Sequence, residues 1–237
     1  MQRPSRPRRP VSCAECEYRG LRMFCNLSPE ALQDFNAIGV QITVPAGSII
    51  FYEDDPAISV TVICSGQVKL SCSSPEGRTL ILKVAVSGDL LGLSSVISGA
   101  VYEVTAQALE TCLVKTIPKE RFLRFLEKHG QASLHAAKAL SEEYRTAYFD
   151  ARRLALSTSV QARVASVLLD WGRAASCGKN EMRFTMSLTH EELANLTGTS
   201  RESITRCLGR LQDDHLIQIK GASILIPDPD KLEAVSH

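Results

Sequence analysis

The strongest constraint on this 237-residue chain is that its strand patterns and its helical patterns occupy separate stretches. Between Val40 and Ile117, short apolar runs alternate with glycine, proline, aspartate and serine. The runs recur at the roughly 8–12-residue spacing that is typical of a sandwich or closed roll. From Pro118 onward the apolar residues recur at helical spacing instead. The order predicts an α+β fold with an N-terminal β-roll of the jelly-roll kind.

Composition and charge limit the classes of protein to which the chain can belong. A hydrophobic fraction of 44% is enough for a core, and a net charge of +1 excludes a strongly basic nucleic-acid coat but not a local DNA-binding face. The chain has neither the run of about 18 apolar residues of a membrane span nor the apolar region of a secretion signal. We therefore expect a cytoplasmic protein without a membrane partner. Residues 1–10, rich in Arg and Pro, are predicted to be disordered.

Three of the eight cysteines, Cys13, Cys16 and Cys25, fall within thirteen residues. Because cytosolic thiols stay reduced, such a group favours a metal, cluster or redox role over structural disulfides. A Cys-x-x-Cys pair can share one metal or cluster, and a third thiol reached through a short loop can add a further corner. The remaining cysteines lie in apolar runs, and four of them are interpreted as small core residues: Cys64, Cys72, Cys177 and Cys207.

A long helix is predicted over residues 129–156. It carries a narrow apolar seam with the 3, 4 spacing of a coiled coil, flanked by charged residues. The seam consists of Ala137, Leu140, Tyr144, Ala147, Ala151 and Leu154. A narrow seam suits a two-stranded coil better than a broad core face, so we interpret it as the dimer interface. The alternative is a helix that packs on its own domain.

Two short capped helices joined by a glycine are predicted in the last quarter of the chain. Thr189 and Glu192 form a capping box, Gly198 ends the helix, and Thr199 with Glu202 fits the start of the second helix. This is the helix-turn-helix arrangement, whose second helix reads the major groove. The candidate DNA contacts are Thr199, Ser200, Arg201, Glu202, Ser203, Thr205 and Arg206. A surface helix pair whose charges are merely solvated is the alternative.

A β-hairpin is predicted over residues 216–226, with its turn near Gly221, and it makes the domain a winged helix. The predicted organisation is therefore a Cys-containing segment (1–28), a sensory β-roll (29–128), a dimerisation helix (129–156) and a winged helix-turn-helix domain (157–230). We expect no enzymatic activity, because the five histidines have no partner motif and neither a phosphate loop nor a nucleophile elbow occurs.

The chain after residue 12 resembles the Crp/Fnr family of bacterial transcription regulators. The similar segments are Gly198-Thr-Ser-Arg-Glu-Ser-Ile-Thr-Arg206, Ser87-Gly-Asp-Leu-Leu-Gly92 and Ala106-Gln-Ala-Leu-Glu-Thr111. The resemblance implies a cyclic-nucleotide-binding-like roll and a homodimer that binds palindromic double-stranded DNA and acts on RNA polymerase. Arg201, Glu202 and Arg206 match the base-contacting positions of the Crp type, which implies TGTGA-like half-sites.

Two departures concern the signal. Cyclic-AMP sensors of the family carry Glu where Leu93 stands, and an Arg-Ser pair near Tyr102 and Glu103. Without that Arg the cyclic phosphate has no bidentate partner, and Glu103 repels it, so we do not expect cyclic AMP to bind.

The oxygen-sensing Fnr branch holds a 4Fe-4S cluster with three N-terminal cysteines and a fourth from the roll. Cys13, Cys16 and Cys25 match the trio, and the fourth position corresponds to Lys115. Cys112 lies three residues earlier and is the candidate fourth ligand, although an odd offset in a strand points to the opposite face. A shifted register, Cys64, Cys72 or an oxygen ligand are the alternatives. A zinc site, a thiol/disulfide switch and an unrelated ligand also stay open.

Two other functional classes compete with a redox-controlled regulator. One is a metal-binding protein whose winged helix serves protein contact, and DNA binding that weakens with salt would exclude it. The other is a constitutive regulator with a degenerate sensor, which would bind DNA equally with and without oxygen.

Overall fold

The computed structural model describes residues 12–16, 19–156, 159–175 and 181–236. The tail 1–10, Cys177 and the side chain of Leu154 lie outside that description. The chain divides into two compact units, Met1–Thr146 and Ala147–His237. Among the described helices, none is both long enough and apolar enough to cross a membrane.

The first unit begins with short helical turns that carry the cysteines. Three 3-10 turns span Cys13–Glu15, Arg19–Leu21 and Met23–Cys25. Helix α1 follows at Pro29–Ala37, and the Ser28 hydroxyl caps it by accepting a hydrogen bond from the Ala31 amide. Serine at the cap and proline at the first helical position explain why the helix starts here.

The predicted β-roll consists of two four-stranded antiparallel sheets. The strands are β1 (Val40–Val44), β2 (Ile49–Phe51), β3 (Ser59–Ser65), β4 (Val68–Ser73), β5 (Thr79–Ala85), β6 (Leu90–Leu91), β7 (Thr105–Ala108) and β8 (Cys112–Pro118). One sheet has the order β1-β8-β3-β6 and the other β2-β7-β4-β5. Sequence order and spatial order differ, so strands distant in the chain lie side by side.

The pairing of β3 with β8 contains a β-bulge. Val62 lies opposite Lys115 and Ile63 opposite Val114, but the next pair joins Ser65 to Leu113. Cys64 is thus the extra residue of the bulge. A bulge bends its strand and redirects a side chain, so the direction of Cys64 does not follow from simple alternation along β3.

A short helix interrupts the roll. Helix α2 (Leu93–Ser98) lies between β6 and β7, where the sequence predicted only strands and turns. Gly92 and Gly99 flank it with φ values of 74° and 79°. These left-handed conformations favour glycine and let the chain enter and leave a helix of only six residues.

Two helices follow the roll, α3 (Lys119–Lys128) and α4 (Gly130–Leu156), with His129 in an extended conformation between them. The core below them is aromatic and includes Phe24, Phe35, Phe122 and Phe125. The Phe24 ring lies 5.6 Å from that of Phe35 and 5.8 Å from that of Phe122. Phe24 therefore anchors the Cys25 turn against α1 and α3.

The second unit is the predicted winged helix. It contains α5 (Val160–Ala175), β9 (Met182–Thr185), α6 (His190–Thr197), α7 (Arg201–Asp213), β10 (Gln218–Lys220), β11 (Ser223–Ile226) and α8 (Pro229–Val235). The β10–β11 hairpin turns at Gly221, whose φ is 60°, as predicted. The sequence did not predict β9, which pairs with β11 to complete a three-stranded sheet, nor α8. The α+β fold class is confirmed.

Candidate DNA-binding helix and thiol cluster

The helix-turn-helix forms by capping, with one correction to the prediction. Thr189 and Glu192 form the predicted capping box of α6, and Gly198 ends that helix with φ of 63°. The cap of α7 is Ser200 rather than Thr199, since its hydroxyl accepts from the Ser203 amide. The Thr199 amide instead donates to the carbonyl of Ala194 at 3.0 Å and belongs to the end of α6.

Helix α7 separates an apolar face from a polar one. The buried face packs into the core of the second unit and consists of Ile204, Cys207, Leu208 and Leu211. Arg201, Glu202, Thr205 and Arg206 are exposed, as is the cap Ser200, while Thr199 and Ser203 are half-buried. The predicted DNA contacts therefore lie at the exposed first two turns of one helix.

Local contacts arrange the charged groups of this surface. The pKa of Glu202 is lowered, first by the hydrogen bond from its own backbone amide and then by the Ser200 hydroxyl, with further help from Arg201 and Arg206. Arg206 donates to the Ser203 hydroxyl at 3.4 Å. An ionised carboxylate between two guanidinium groups can orient them, and Arg is the commonest bidentate reader of guanine.

The structure brings the N-terminal cysteines together and adds Cys64 to them. Burial raises the pKa of the Cys25 thiol to about 12 and that of Cys64 to about 11. The Cys25 thiol is also influenced by Cys64, Cys13 and Cys16, and the Cys64 thiol by Cys13 and Cys16. Burial likewise raises the pKa of Cys13, with a contribution from Cys16. The four thiols are close enough to affect one another electrostatically.

Two cations face this thiol cluster, defined as Cys13, Cys16, Cys25 and Cys64. Arg22 lowers the pKa of Cys25 and Cys64, and Lys115 lowers that of Cys13 and Cys64. Lys115 is only 2% exposed. Such a buried ammonium is tolerated only where it is hydrogen-bonded or paired.

Backbone carbonyls hold Lys115 beside the cluster. Its Nζ donates to the carbonyl of Asn36 at 2.9 Å and to that of Gly39 at 3.4 Å. The Asn36 side chain accepts from the Cys13 amide at 3.1 Å. Asn36 therefore ties the first cysteine of the trio to the residue that stands at the fourth ligand position of the Fnr pattern.

The structure does not bring Cys112 to this cluster. Cys112 is 1% exposed, and its thiol donates to the carbonyls of Gln67 at 3.3 Å and Glu110 at 3.2 Å. It also packs tightly against Gly66, where an added Cβ would lie 2.6 Å from the Cys112 sulfur. The reason is the odd offset from Lys115, which directs Cys112 to the other side of β8.

The thiols are grouped but not pre-arranged around a metal. Across the described part of the chain, no set of three or more His, Cys, Asp or Glu side chains has a geometry that could hold a metal ion as it stands. The donor set is nevertheless chemically suitable, because soft thiolates select iron–sulfur clusters, zinc and copper(I). Four thiolates are the usual ligands of a 4Fe-4S cluster.

Arg22, which the sequence did not single out, links the cluster to the roll. Its guanidinium donates to the Cys16 sulfur at 3.9 Å and to the Ser87 hydroxyl at 2.6 Å. The Ser87 hydroxyl in turn donates to the carbonyl of Cys64 at 2.7 Å. The available signal was a single arginine between Cys16 and Cys25, which local patterns could not assign to a partner 65 residues away.

A cavity of about 240 Å³ lies between the roll and α4, next to Arg22. Charged residues that line it are Arg22, Lys83, Asp89, Glu142 and Glu143. Burial raises the pKa of Glu143, with further upward contributions from Glu103 and Asp89 and a downward one from Lys83. The cavity is smaller than the roughly 300–1,000 Å³ of typical small-molecule sites.

The positions aligned with cyclic-nucleotide contacts are packed or acidic. Leu93 is buried, and the Tyr102 ring stacks on Phe51 with ring centroids 3.9 Å apart. The Tyr102 hydroxyl donates to the carbonyl of Ser59 at 2.8 Å. Glu103 accepts from the Ser94 hydroxyl at 3.4 Å. These side chains supply no cation to a cyclic phosphate.

The predicted seam of α4 lies largely on the surface. Ala137, Tyr144, Ala147 and Ala151 are exposed, and Tyr144 keeps 74% of its surface accessible. Leu140 is half-buried and packs against the core of the first unit. The seam therefore contributes to both readings of the helix, mostly to an external surface and at Leu140 to its own domain.

Comparison with known proteins gives a consistent picture. Residues 41–129 match the cyclic nucleotide-binding domain and residues 162–235 the Crp-like helix-turn-helix domain. The fumarate and nitrate reduction regulatory protein of Salmonella typhimurium is 27% identical over 95% of this chain and 90% of its own length. The CRP-like cAMP-activated global transcriptional regulator of Mycobacterium tuberculosis is 25% identical over 89% of this chain and 94% of its own.

A solved structure agrees with the fold. FixK2 from Bradyrhizobium japonicum superposes with a TM-score of 0.76 at 20% identity, covering 84% of this chain and 98% of the other. The two domain matches, the relatives and the fold identify a DNA-binding transcription regulator rather than an enzyme. The chain belongs to the Crp/Fnr family of transcription regulators.

Proposed function

We propose that the protein is a cytoplasmic homodimeric regulator that binds palindromic double-stranded DNA with TGTGA-like half-sites and acts on RNA polymerase. Its DNA affinity follows an oxygen or redox signal, received by a 4Fe-4S cluster at the N-terminal cysteines. The observation that carries the redox part is the grouping of Cys13, Cys16 and Cys25 beside two cations. The exposed arginines of α7 carry the DNA part.

The DNA half of the proposal follows from the face of α7. Arg201 and Arg206 are five residues apart, and both are exposed near the helix N-terminus. The N-terminal residues of a recognition helix are the ones that reach base edges. Glu202 between them can accept from cytosine N4. Two guanine readers and one cytosine reader fit a TGTGA-like half-site, which contains two G·C pairs on this register.

Dimerisation is supported by the surface of α4. Tyr144 is a large, mostly exposed aromatic residue in the middle of a seam of alanines. Small residues let two helices approach closely, and a heptad seam specifies a helix of the same pattern as its partner. A second copy of α4 supplies that pattern. A symmetric dimer also matches a palindromic DNA site.

The fit of a cluster rests on the donor chemistry and on charge. The thiols of Cys13 and Cys25 are desolvated, so their thiolates need a neighbouring positive charge. Arg22 and Lys115 provide fixed positive charge at this point. A bound cluster supplies a redox-active, oxygen-sensitive centre. The residues of the chain hold it and transmit its presence.

Two contacts of the cysteine segment provide that transmission. Cys25 is joined to Phe24, whose buried ring packs on Phe122 of α3. Arg22 reaches the cavity between the roll and α4, where Glu143 lies. A change in the thiols that moves either residue therefore alters the packing under α4. The affinity of the dimer, and with it that for two half-sites, changes in turn.

The cavity charges argue against a cyclic nucleotide as the signal. Three carboxylates, Asp89, Glu142 and Glu143, stand against two cations, Arg22 and Lys83. Lys83 is already paired with Asp89 at 3.0 Å. An anionic phosphate would enter an excess of negative charge.

The test is purification of the full chain without oxygen, followed by a visible absorption spectrum and by iron, sulfide and zinc analysis. DNA binding to a TGTGA-like palindrome is measured on the same samples before and after exposure to air. We expect a thiolate-to-iron absorption band that bleaches in air, together with a change in DNA affinity. A protein that holds zinc, or that holds no group after reconstitution with iron and sulfide, would contradict the cluster. DNA affinity that is identical with and without air would contradict the signal.

A further inference from the structure

We propose that Cys64 is the fourth cysteine of the cluster site, so that strand β3 of the roll and the N-terminal segment hold one iron–sulfur cluster between them. The inference deepens the proposed function and rests on it. It assigns the ligand set Cys13, Cys16, Cys25 and Cys64, and it leaves out Cys112. The fourth ligand would then lie on the strand next to the one that carries it in the Fnr pattern.

The backbone of β3 explains how Cys64 reaches the site. Val62 lies directly opposite Lys115, and paired residues on neighbouring strands point to the same face of a sheet. Cys64 follows Val62 by two residues, so alternation alone would place it on that face. The bulge between Ile63 and Ser65 then leaves Cys64 unpaired and free to be redirected. Cys64 and Lys115 thus belong to one face of the roll.

A chain of hydrogen bonds fixes Cys64 relative to the N-terminal segment. The carbonyl of Cys64 accepts from Ser87 at 2.7 Å, and the Ser87 hydroxyl accepts from Arg22 at 2.6 Å. Arg22 also donates to the sulfur of Cys16 at 3.9 Å. The segment that brings two of the other cysteines is therefore attached to the residue beside which Cys64 lies.

Lys115 cannot replace a ligand but can support one. An ammonium group has three donors and no lone pair, and here it is already bonded to the carbonyls of Asn36 and Gly39. Its positive charge acts on Cys64 and Cys13. Four thiolates around a cluster carry net negative charge, which a fixed buried cation offsets. A cation at the old ligand position and a thiol on the neighbouring strand are complementary changes.

The other cysteines of the roll do not meet these conditions. Cys112 bonds to Gln67 and Glu110 on the other side of β8. Cys72 lies on β4 of the second sheet, and besides burial it is Glu53, a carboxylate, that raises its pKa. A negative neighbour disfavours a thiolate. Both residues are therefore suitable as matched controls.

The experiment compares Cys64→Ala with Cys112→Ala and Cys72→Ala in the full chain. Each protein is reconstituted without oxygen using ferrous iron and sulfide, and retained iron, sulfide and the absorption band are measured after gel filtration. We expect Cys64→Ala to retain at least about tenfold less iron, since loss of a supporting contact alone costs 10–100-fold in metal affinity. The two control variants should match the unsubstituted protein.

A rescue variant and a labelling measurement cover the case in which Cys64→Ala fails to fold. In the double variant Cys64→Ala/Lys115→Cys a thiol returns to the same face of the roll, and we expect iron retention to recover. In the unsubstituted protein, alkylation read by mass spectrometry should label Cys64 only after the cluster is removed. Equal labelling before and after removal overturns the inference.

The outcomes separate this inference from the proposed function. If the unsubstituted protein retains a cluster and Cys64→Ala retains it equally, or if Cys112→Ala alone loses it, Cys64 is not the ligand although the redox function stands. If the unsubstituted protein retains no cluster, the proposed function fails and the inference fails with it. If zinc is retained and is lost in Cys64→Ala alone, the four-thiol site stands and the cluster does not.

Discussion

Replacing Arg201 with alanine should remove base recognition without disturbing the fold of the second unit. Arg201 is the exposed first residue of α7. Its backbone carbonyl, which accepts from the Thr205 hydroxyl at 3.1 Å, survives the substitution. Exposed substitutions of this kind change stability by less than about 0.5 kcal/mol. A larger loss in DNA affinity is therefore a property of the complex.

The expected magnitude follows from the number of contacts. A bidentate arginine–guanine contact contributes about 1–3 kcal/mol of discrimination, and a dimer on a palindrome makes it twice. The variant should thus lose about 2–6 kcal/mol on a TGTGA-like palindrome. At 1.4 kcal/mol per factor of ten, this is roughly 30-fold to 20,000-fold in Kd. On DNA without the site, the loss should be small.

The assay is fluorescence anisotropy with a labelled palindrome at several salt concentrations, with Arg210→Ala as the control. Arg210 is also exposed, but it lies nine residues further along α7, or about 14 Å at 1.5 Å per residue. It is too far to read the same base pair, so its loss should weaken all sequences alike. Arg201→Ala should leave the salt dependence nearly unchanged while losing sequence preference. Equal losses on specific and non-specific DNA would show that Arg201 contacts phosphate, and would refute the base-reading role.

Three further predictions concern α4 and the roll. Tyr144→Glu should shift the protein to monomer by at least about tenfold in dimer Kd, because it places like charges in the seam; sedimentation that shows an unchanged dimer would remove the seam from the interface. Gly66→Ala should cost at least about 1–2 kcal/mol of unfolding free energy, since φ is 96° and the new Cβ meets the Cys112 sulfur; denaturant titration should show partial recovery in Gly66→Ala/Cys112→Ala. Glu143→Gln should stabilise the protein at pH 7.5 by less than about 1 kcal/mol, because the raised pKa of this partly exposed carboxyl means that its ionisation opposes folding. That stabilisation should disappear as the pH falls below the ordinary glutamate value of 4.5, and a thermal midpoint difference that is the same at pH 4 and pH 7.5 would contradict it.

Much of the fold was predictable because its signals are local. The Ser28 cap, the capping box of Thr189 and the glycine turn at Gly198 each involve residues within four positions of one another. The exposed face of α7 also follows from helical periodicity alone. Helix α2, strand β9 and helix α8 were missed, because elements of four to seven residues carry too little periodicity to stand out.

The candidate sensor was only half predictable. The grouping of Cys13, Cys16 and Cys25 is visible in the chain because the residues are adjacent in sequence. Cys64 was interpreted as a core residue, since it lies in an apolar run with no local feature to distinguish it. Its neighbourhood depends on a bulge between β3 and β8 and on contacts with residues tens of positions away.

By itself, the sequence determined the order of the domains, the helix-turn-helix and the residues of its exposed face, since periodicity and capping act over a few residues. The tertiary structure decided which thiol joins the N-terminal trio, that Arg22 reaches Ser87, and that Leu140 packs inward while Tyr144 stays exposed. Each of these depends on strand register or on packing between distant segments. Such long-range contacts form only when the whole unit folds, and no local pattern encodes them.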